Sequence, residues 1–225
     1  MQVVSRRPKG LFITLEGGEG SGKTTQALRL SQSLTAKGYD VLLTREPGGT
    51  VIAEQLRNIL LRTDSAEPLA PETEALLILA ARRQHVDHVI RPALERGTIV
   101  VCDRFSDSTF AYQGYGRGLD LKILRRMDDW ATGHLSPHLT LLFDLPVATG
   151  LRRRRGTSSA GNRLDRETRA FHTRVHAGFH ALAKREPRRI VVVDARPSPD
   201  VVTAQMETLV LAKLRRSHFK TDPKR

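Results

Sequence analysis

Short apolar runs alternate with helical patterns along most of this chain. Five runs have the nearly continuous hydrophobicity that is typical of strands buried on both faces, at residues 11–15, 41–44, 98–102, 138–144 and 190–194. Between these runs, apolar residues recur at the spacing of amphipathic helices. Because strands and helices alternate, the pattern predicts an α/β fold with a five-stranded parallel sheet that helices cover on both faces.

The helical patterns have recognisable ends and interruptions. They are predicted at residues 25–37, 50–60, 72–96, 119–132, 146–155, 167–184 and 204–214. Thr50 can cap the second helix, and Pro92 is expected to bend or divide the third. The glycines of residues 113–118 are predicted to interrupt the helical region there, and Trp130 is assigned to the core.

A glycine-rich segment joins the first strand to the first helix. It reads Gly17-Gly18-Glu19-Gly20-Ser21-Gly22-Lys23-Thr24, a complete match to the phosphate-binding loop (P-loop) G-x-x-x-x-G-K-[ST]. Glycine backbones let successive N–H groups point at one anion, and the helix that follows adds its positive end. Lys23 is expected to reach the β- and γ-phosphates of a nucleoside triphosphate, and Thr24 to ligate Mg²⁺. The segment predicts the fold of the P-loop NTPases.

Further charged residues follow or lie near the carboxyl ends of the other strands, where parallel sheets bind their ligands. Asp103 comes directly after the third apolar run, which makes it a candidate Mg²⁺ ligand of the Walker B kind; a strand-end cap is the alternative. Arg57, Arg82 and Arg104 lie in the second and third crossover units. Since guanidinium groups bind phosphate bidentately, they can surround a second anionic ligand.

A second group of arginines flanks a loop of small residues. Arg152–Arg155 precede this loop and Arg163 follows it. A solvated helix face would explain Arg152–Arg155 alone, but the adjoining loop favours a lid near residues 152–166. This arrangement suits a kinase for a small phosphorylated acceptor. The acceptor oxygen is then already ionised, so alignment and charge neutralisation replace a general base.

Composition limits the remaining possibilities. The 225 residues carry a formal net charge of +13 and one cysteine, Cys102, which is expected to be a buried hydrophobe. The length fits one domain, predicted at residues 1–216, with a basic tail at 217–225 that is expected to be disordered. No apolar run is long enough to span a membrane and no signal-peptide core follows the N-terminus, so we expect a cytoplasmic location.

The positive charge also leaves open a non-enzymatic protein that binds nucleic acid and uses nucleotide as a regulator. Such a protein would bind DNA or RNA with strong salt dependence. The sequence contains no helix-turn-helix, zinc-finger or aromatic RNA-binding signature. We therefore do not expect nucleic acid to be a partner, despite the basic charge. Clusters at residues 185–189 and 213–225 are instead expected to be solvated surface.

Five segments together carry a specific family resemblance. They are residues 16–25, 44–50, 103–105, 111–114 and 162–165, which read EGGEGSGKTT, TREPGGT, DRF, AYQG and NRLD. In this order and spacing, the chain resembles the bacterial thymidylate kinases from about Gly10 to Met206. The resemblance implies conversion of dTMP and MgATP into dTDP and ADP, in dTTP biosynthesis, by a homodimer.

The resemblance implies roles for residues around the acceptor phosphate and sugar. Glu19 would face the sugar 3′-hydroxyl or the metal region of dTMP. Arg104 would grip the dTMP phosphate, with Arg57 nearby. Tyr112 would crowd the 2′ position and disfavour ribonucleotides, although its residue type alone fits a packing role equally well.

The base and lid positions follow from the same resemblance. Arg82, Thr109 and Gln113 would contact the thymine edge. Since position 20 is glycine instead of arginine and the lid is rich in arginine, the chain resembles the subclass whose catalytic arginine comes from the lid. Arg163 is the first candidate, and Arg152–Arg155 would include adenine or phosphate contacts.

One position departs from the family pattern. Ile78 stands where the family usually has a phenylalanine that stacks on thymine, and isoleucine has no π face. Another deoxynucleoside or nucleoside monophosphate kinase of the same fold therefore remains an alternative. The peptide bond before Pro47 is a candidate for the cis form.

Overall fold

The chain folds around one parallel sheet. The computed structural model describes residues 10–62, 67–156 and 162–216; the predicted tail and most of the small-residue loop of the predicted lid lie outside these ranges. The strands are β1 Phe12–Gly17, β2 Val41–Arg45, β3 Ile99–Asp103, β4 Leu139–Asp144 and β5 Ile190–Asp194. The helices are α1 Lys23–Ala36, α2 Val51–Leu61, α3 Pro71–His85, α4 Arg91–Arg96, α5 Ser106–Thr109, α6 Leu121–Thr132, α7 Val147–Arg155, α8 Arg169–Arg185 and α9 Pro199–Arg216.

The strand order confirms the predicted α/β fold. The strands pair in the order β2-β3-β1-β4-β5, and every pairing between them is parallel. The chain crosses from β3 to β4 over the central strand β1, so the order reverses beside β1. In such sheets ligands bind beyond the carboxyl ends of the strands at this switch point. The P-loop follows β1 at that position.

Apolar residues fill both faces of the sheet. On one face, α1 and α9 pack against the strands and bury residues such as Leu30 and Met206. On the other face, α4 packs near Phe12 and Cys102, while α8 packs near Leu142. Cys102 is fully buried, as expected. Because the central strands β1, β3 and β4 alternate their side chains between two buried faces, their sequences read as continuous apolar runs.

The helix ends agree with their local sequence signals. Thr50 Oγ1 accepts a hydrogen bond from the Ala53 amide at 3.1 Å, which confirms the predicted cap of α2. The predicted long helix is divided by a π-helical turn at Val86–Ile90, directly before the turn that contains Pro92. A widened turn accommodates the hydrogen bond that proline cannot donate.

The predicted interruption at residues 113–118 is confirmed only at its end, where the chain leaves the helical conformation at residues 117–120 and Gly118 has a φ of 84°. Helix α5 continues into a π-helical segment at Phe110–Gly116. A Cβ atom on Gly114 would lie 2.3 Å from Leu121 Cδ2, and one on Gly116 would lie 2.7 Å from Phe171 Cε2. These glycines permit close packing and do not form a loop.

Two further assignments were wrong. Trp130 is not in the core, since it is 79% exposed on α6, whose buried side faces inward at Leu124 and Ala131. Arg189 is not solvated surface, because its guanidinium contacts the buried carboxylate of Asp107 at 2.7 Å. Within the described ranges, no helix is both long and apolar enough to cross a membrane.

Candidate active site

The P-loop holds a buried lysine whose ammonium group hydrogen-bonds to the loop itself. Gly22, with φ of 90°, precedes α1, and the Lys23 ammonium donates to Gly18 O at 2.7 Å and Ser21 Oγ at 3.2 Å. Burial, followed by the charge of Arg104, lowers the pKa of Lys23 to about 8. A buried cation that prefers to lose its proton is stabilised by an anion. The loop is therefore prepared for phosphate.

Gly20 lies where the P-loop meets the helix that carries the lid arginines. Its φ is 67°, and a Cβ atom there would lie 2.1 Å from the carbonyl oxygen of Gly150 in α7. A Cβ atom on Gly150 would in turn lie 2.3 Å from Glu19 O. This contact requires glycine on both sides. It leaves no space at position 20 for an arginine side chain in this arrangement.

Thr24 and Asp103 meet beside the loop, as the sequence predicted. The Thr24 hydroxyl donates to Asp103 Oδ2. The other carboxylate oxygen, Asp103 Oδ1, is buried and has no hydrogen-bond partner among the described residues. A buried carboxylate oxygen without a partner is energetically costly, and a bound ligand would remove this cost. Hydroxyl and carboxylate oxygens are the donors that Mg²⁺ prefers, so this pair fits a magnesium ion.

Arg104 occupies the centre of the site in an unusual backbone conformation. Its φ is 71°, in the left-handed region that is costly for a side chain. The guanidinium donates to Glu19 Oε1 at 2.9 Å and to Gly17 O at 3.1 Å. The Tyr112 hydroxyl donates to the same Glu19 oxygen at 2.8 Å. Three predicted residues, Glu19, Arg104 and Tyr112, thus form one hydrogen-bonded group.

Charges determine the protonation of this group. Burial alone would raise the pKa of Glu19, but the Arg104 and Lys23 charges and the Tyr112 hydroxyl lower it to about 2. Burial raises the pKa of the Tyr112 hydroxyl. Glu19 is therefore a carboxylate at neutral pH, and Arg104 is held in a fixed orientation.

A large cleft runs along the carboxyl edge of the sheet. Its volume is about 560 Å³, within the range of small-molecule sites. Lys23, Arg45, Arg57 and Arg104 all line it. Burial, followed by repulsion from Arg45, lowers the pKa of Arg57. Cations that repel one another in a cleft favour an anionic ligand, so the cleft suits phosphorylated molecules.

A smaller, mostly apolar pocket opens from this cleft. Its lining includes the predicted base-binding residues, namely Ile78, Arg82, Thr109, Tyr112 and Gln113. Arg104 lines both the pocket and the cleft. The Glu46–Pro47 peptide bond is cis, and Pro47 also lines both. The pocket therefore adjoins the phosphate-binding cleft at Arg104.

The guanidinium of Arg82 is already bound by protein groups. Arg82 is 1% exposed, and it contacts Glu46 and Asp128 at 2.7 Å each and Thr109 Oγ1 at 3.0 Å. It also lies 5.0 Å from the ring centre of Phe105. Arg82 thus forms a fixed wall of the pocket.

The predicted lid arginines are divided between two locations. Arg153 and Arg154 line the cleft, and Arg154 forms a two-bond ion pair with Asp165 at 2.8 and 3.0 Å. Arg152 is exposed on α7. Arg163 instead donates to Leu60 O at 3.0 Å and pairs with Glu74. The structure therefore brings Arg153 and Arg154, and not Arg163, to the cleft.

Sequence reasoning missed the buried acids that organise these arginines. Glu74 is 1% exposed and binds both Arg163 and Arg117, while Asp128 and Glu46 bind Arg82. Each acid lies in or beside a helix or loop where surface charge is common, so periodicity gives no sign of burial. Glu46 alone carried a signal, since it lies within the segment that resembles the family.

Comparison with known proteins agrees with this site. The family model described as thymidylate kinase matches residues 15–206. A thymidylate kinase from Thermomicrobium roseum is 54% identical over 205 residues, covering 91% of this chain and 96% of that protein. One from Synechococcus sp. is 53% identical over 204 residues, with 91% and 96% coverage.

A solved structure shows the same relationship in three dimensions. The thymidylate kinase from Ehrlichia chaffeensis superposes with a TM-score of 0.74 at 34% sequence identity. The match covers 90% of this chain and 100% of that one. On the sequence, the sheet order and the cleft together, this chain belongs to the thymidylate kinase family.

Proposed function

We propose that the chain transfers the γ-phosphoryl group of ATP to dTMP and releases dTDP and ADP. This is the reaction of the family to which the chain belongs. The observation that carries the proposal is the order of the sites along one edge of the sheet. The P-loop lysine lies in the cleft, Arg104 lies where the cleft meets the apolar pocket, and the predicted base-binding residues line that pocket.

Alignment and charge neutralisation account for the chemistry. The attacking dTMP phosphate oxygen is ionised at neutral pH, so no side chain has to remove a proton. Arg104, fixed by Glu19 at 2.9 Å, binds the acceptor phosphate, and Arg57 adds positive charge beside it. Lys23 and the P-loop backbone bind the ATP phosphates. The two anions are thereby held in line despite their repulsion.

Mg²⁺ is proposed to accompany ATP in this site. Thr24 and the unpartnered oxygen of Asp103 would hold it. When bound, the ion supplies charge neutralisation at the β- and γ-phosphates.

The apolar pocket is proposed to bind thymine. Ile78 packs against the base, and Thr109 and Gln113 lie on the pocket lining where they can contact its polar edge. Tyr112, held by its hydrogen bond to Glu19, crowds the 2′ position of the sugar. Packing by isoleucine lacks aromatic stacking, which is worth about 0.5–1.5 kcal/mol between rings. We therefore propose weaker base selectivity than a phenylalanine would give.

Two arginines are candidates for the catalytic lid residue. Arg163, the candidate from the sequence, has to leave Glu74 and Leu60 O before it can reach the γ-phosphoryl group. Arg154 already lines the cleft. Comparison of kcat in Arg154→Ala and Arg163→Ala separates them, because a transition-state arginine is worth roughly 10³- to 10⁵-fold. The variant with the larger loss of kcat, at unchanged dTMP affinity, identifies the catalytic arginine.

We further propose a homodimer and a cytoplasmic location. Apolar side chains stand exposed on the neighbouring helices α3 and α6, among them Leu76, Ile123 and Trp130. Large exposed apolar side chains on neighbouring helices are typical of a protein–protein interface. The cytoplasmic location remains a prediction from the sequence.

Release of ADP with different acceptors tests the proposed reaction. Purified protein with MgATP is supplied with dTMP, dUMP, UMP, dCMP or AMP in parallel, beside the Lys23→Ala variant. We expect strong turnover with dTMP and a large loss in the variant. Turnover with another acceptor would keep the reaction class and reject dTMP. Absence of acceptor-dependent turnover would reject the kinase and favour the nucleic-acid-binding alternative.

A further inference from the structure

Two histidines and an aspartate converge on one point outside the cleft. His176 and His180 are four residues apart on α8, and Asp144 is the last residue of β4. The Nε2 atoms of the two histidines lie 2.9 and 3.0 Å from the same atom, Asp144 Oδ1. The two rings have centres 4.6 Å apart. Of the groups that the described residues form, this one brings three potential metal ligands within 4.8 Å of one another.

From this geometry we propose that Asp144, His176 and His180 form a binding site for a divalent transition-metal ion such as Zn²⁺ or Co²⁺. Histidines four residues apart on a helix present both Nε2 atoms to one side, as in helical zinc sites. Two imidazoles and one carboxylate are a common zinc ligand set, with solvent water as the fourth ligand. Mg²⁺ is not expected here, because it prefers oxygen ligands.

The ligand atoms lie close to the spacing that a metal ion requires. With metal–ligand distances near 2.0–2.2 Å and tetrahedral angles, ligand atoms lie about 3.3 Å apart. The two N–O distances here are 2.9 and 3.0 Å, and all three ligand atoms lie within 4.8 Å of one another. Side-chain shifts of up to about 1.5 Å therefore bring every pair to this spacing. Each Nε2 atom gives up its proton, either to Nδ1 of the same ring by tautomer exchange or to solvent, and its lone pair then binds the metal in place of the hydrogen bond to Asp144.

The surroundings leave Asp144 available as a ligand. Its neighbour across the sheet, Asp194, forms its own ion pair with Arg196 at 2.8 Å. The three side chains are 33–39% exposed. An ion and its water ligand can therefore enter from solvent.

The position of the site connects parts of the kinase fold. Phe143, beside Asp144, pairs in register with Gly17, where the P-loop begins. His176 also lines a small cavity behind the P-loop with Gly18 and Ser21. A bound ion would fasten the middle of α8 to the carboxyl end of β4. We expect it to stabilise the fold without taking part in phosphoryl transfer.

Titration of the metal-free full chain with Co²⁺ tests the site. The protein carries no affinity tag, and nucleotide is omitted so that the P-loop does not contribute. We expect a visible absorption band of tetrahedral Co²⁺ and one ion bound per chain. Loss of a residue that only hydrogen-bonds a metal ligand already weakens metal affinity by about 10- to 100-fold. The His176→Gln/His180→Gln double variant should therefore bind at least about 100-fold more weakly.

Matched controls make the outcome decisive. His88 is exposed on the π-helical turn after α3, so His88→Gln should bind Co²⁺ as the unaltered chain does. Zn²⁺ should raise the melting temperature of the unaltered chain and of His88→Gln, but not of the double variant. Turnover with dTMP should persist in all three proteins. Equal binding by the double variant, or no band in the unaltered chain, would overturn the proposal while leaving the kinase reaction intact.

An NMR measurement on the unaltered chain tests the site without any substitution, so a misfolded variant cannot affect its result. The chain has eight histidines, and Zn²⁺ should shift the imidazole nitrogen signals of two of them in a long-range NMR spectrum. If Zn²⁺ shifts none of the signals, or shifts all of them equally, the proposed site is wrong.

Discussion

Replacement of Arg82 tests how the base pocket is held together. The Arg82 guanidinium is buried between Glu46 and Asp128, at 2.7 Å from each carboxylate. In the Arg82→Met variant the side chain keeps much of its apolar stem but loses its charge. Both carboxylates then remain buried without the cation that faces them. Removal of one partner of a buried ion pair costs roughly 3–5 kcal/mol, so we expect a loss of folding stability of that size.

The pH dependence gives the loss a specific signature. Burial would raise the pKa of Glu46, but Arg82 and then His85 lower it. In the native chain, this lowered pKa adds stability above the unfolded value of 4.5, which is lost as pH falls through the folded value. Without Arg82, burial dominates and the pKa rises. The variant then gains stability from protonation as pH falls.

Urea unfolding followed by circular dichroism measures both effects. The difference in unfolding free energy between the native chain and Arg82→Met should be largest near pH 8 and should narrow towards pH 5. The Arg82→Met/Glu46→Gln double variant removes one of the unpaired charges and should recover part of the loss. A loss below about 1 kcal/mol, or a difference independent of pH, would refute this account of the pocket.

Three other predictions follow from the geometry. Gly20→Ala should abolish most activity, because its Cβ atom would lie 2.1 Å from Gly150 O. Gly18→Ala is the matched control: no atom lies within 4 Å of its Cβ, so this variant should stay folded and keep the loop shape in a ligand-free structure. Burial and then a neighbouring aspartate raise the pKa of Glu16 to about 7, so the free energy of unfolding should fall by about 3 kcal/mol as pH rises from 4.5 to above 7. Urea unfolding of Glu16→Gln should lack this decline. Trp130→Glu should shift the protein towards monomer in analytical ultracentrifugation; an unchanged mass would exclude this face from the dimer.

The sequence was sufficient to predict the sheet, because strands buried on both faces leave continuous apolar runs. It was also sufficient for the P-loop and for the approach of Thr24 to Asp103, since loops beyond parallel strands meet at one edge. These features depend on local pattern and on one topological rule. The family resemblance added Glu19, Arg104 and Tyr112 as site residues, and these three form one hydrogen-bonded group in the structure.

Features that depend on packing between distant segments could not be predicted in this way. The glycines at 114 and 116 appear to periodicity as a break, but they mark close contacts with Leu121 and Phe171. The charge on Glu74 suggests a surface residue, although two arginines bury it. Trp130 is apolar, yet the rotation of α6 places it in solvent. Gly116 and Glu74 contact partners far along the chain, at Phe171 and Arg163, which no local pattern indicates.

Transfer of a labelled γ-phosphoryl group tests the central claim most directly. The protein is incubated with ATP carrying ³²P at the γ position, Mg²⁺ and dTMP, and the nucleotides are separated by chromatography. Our account predicts that the label moves to dTDP, and that Lys23→Ala loses most of this transfer while still binding dTMP, since Lys23 lines the cleft and not the acceptor pocket. Label found only in inorganic phosphate, or on another acceptor in preference to dTMP, would contradict the account.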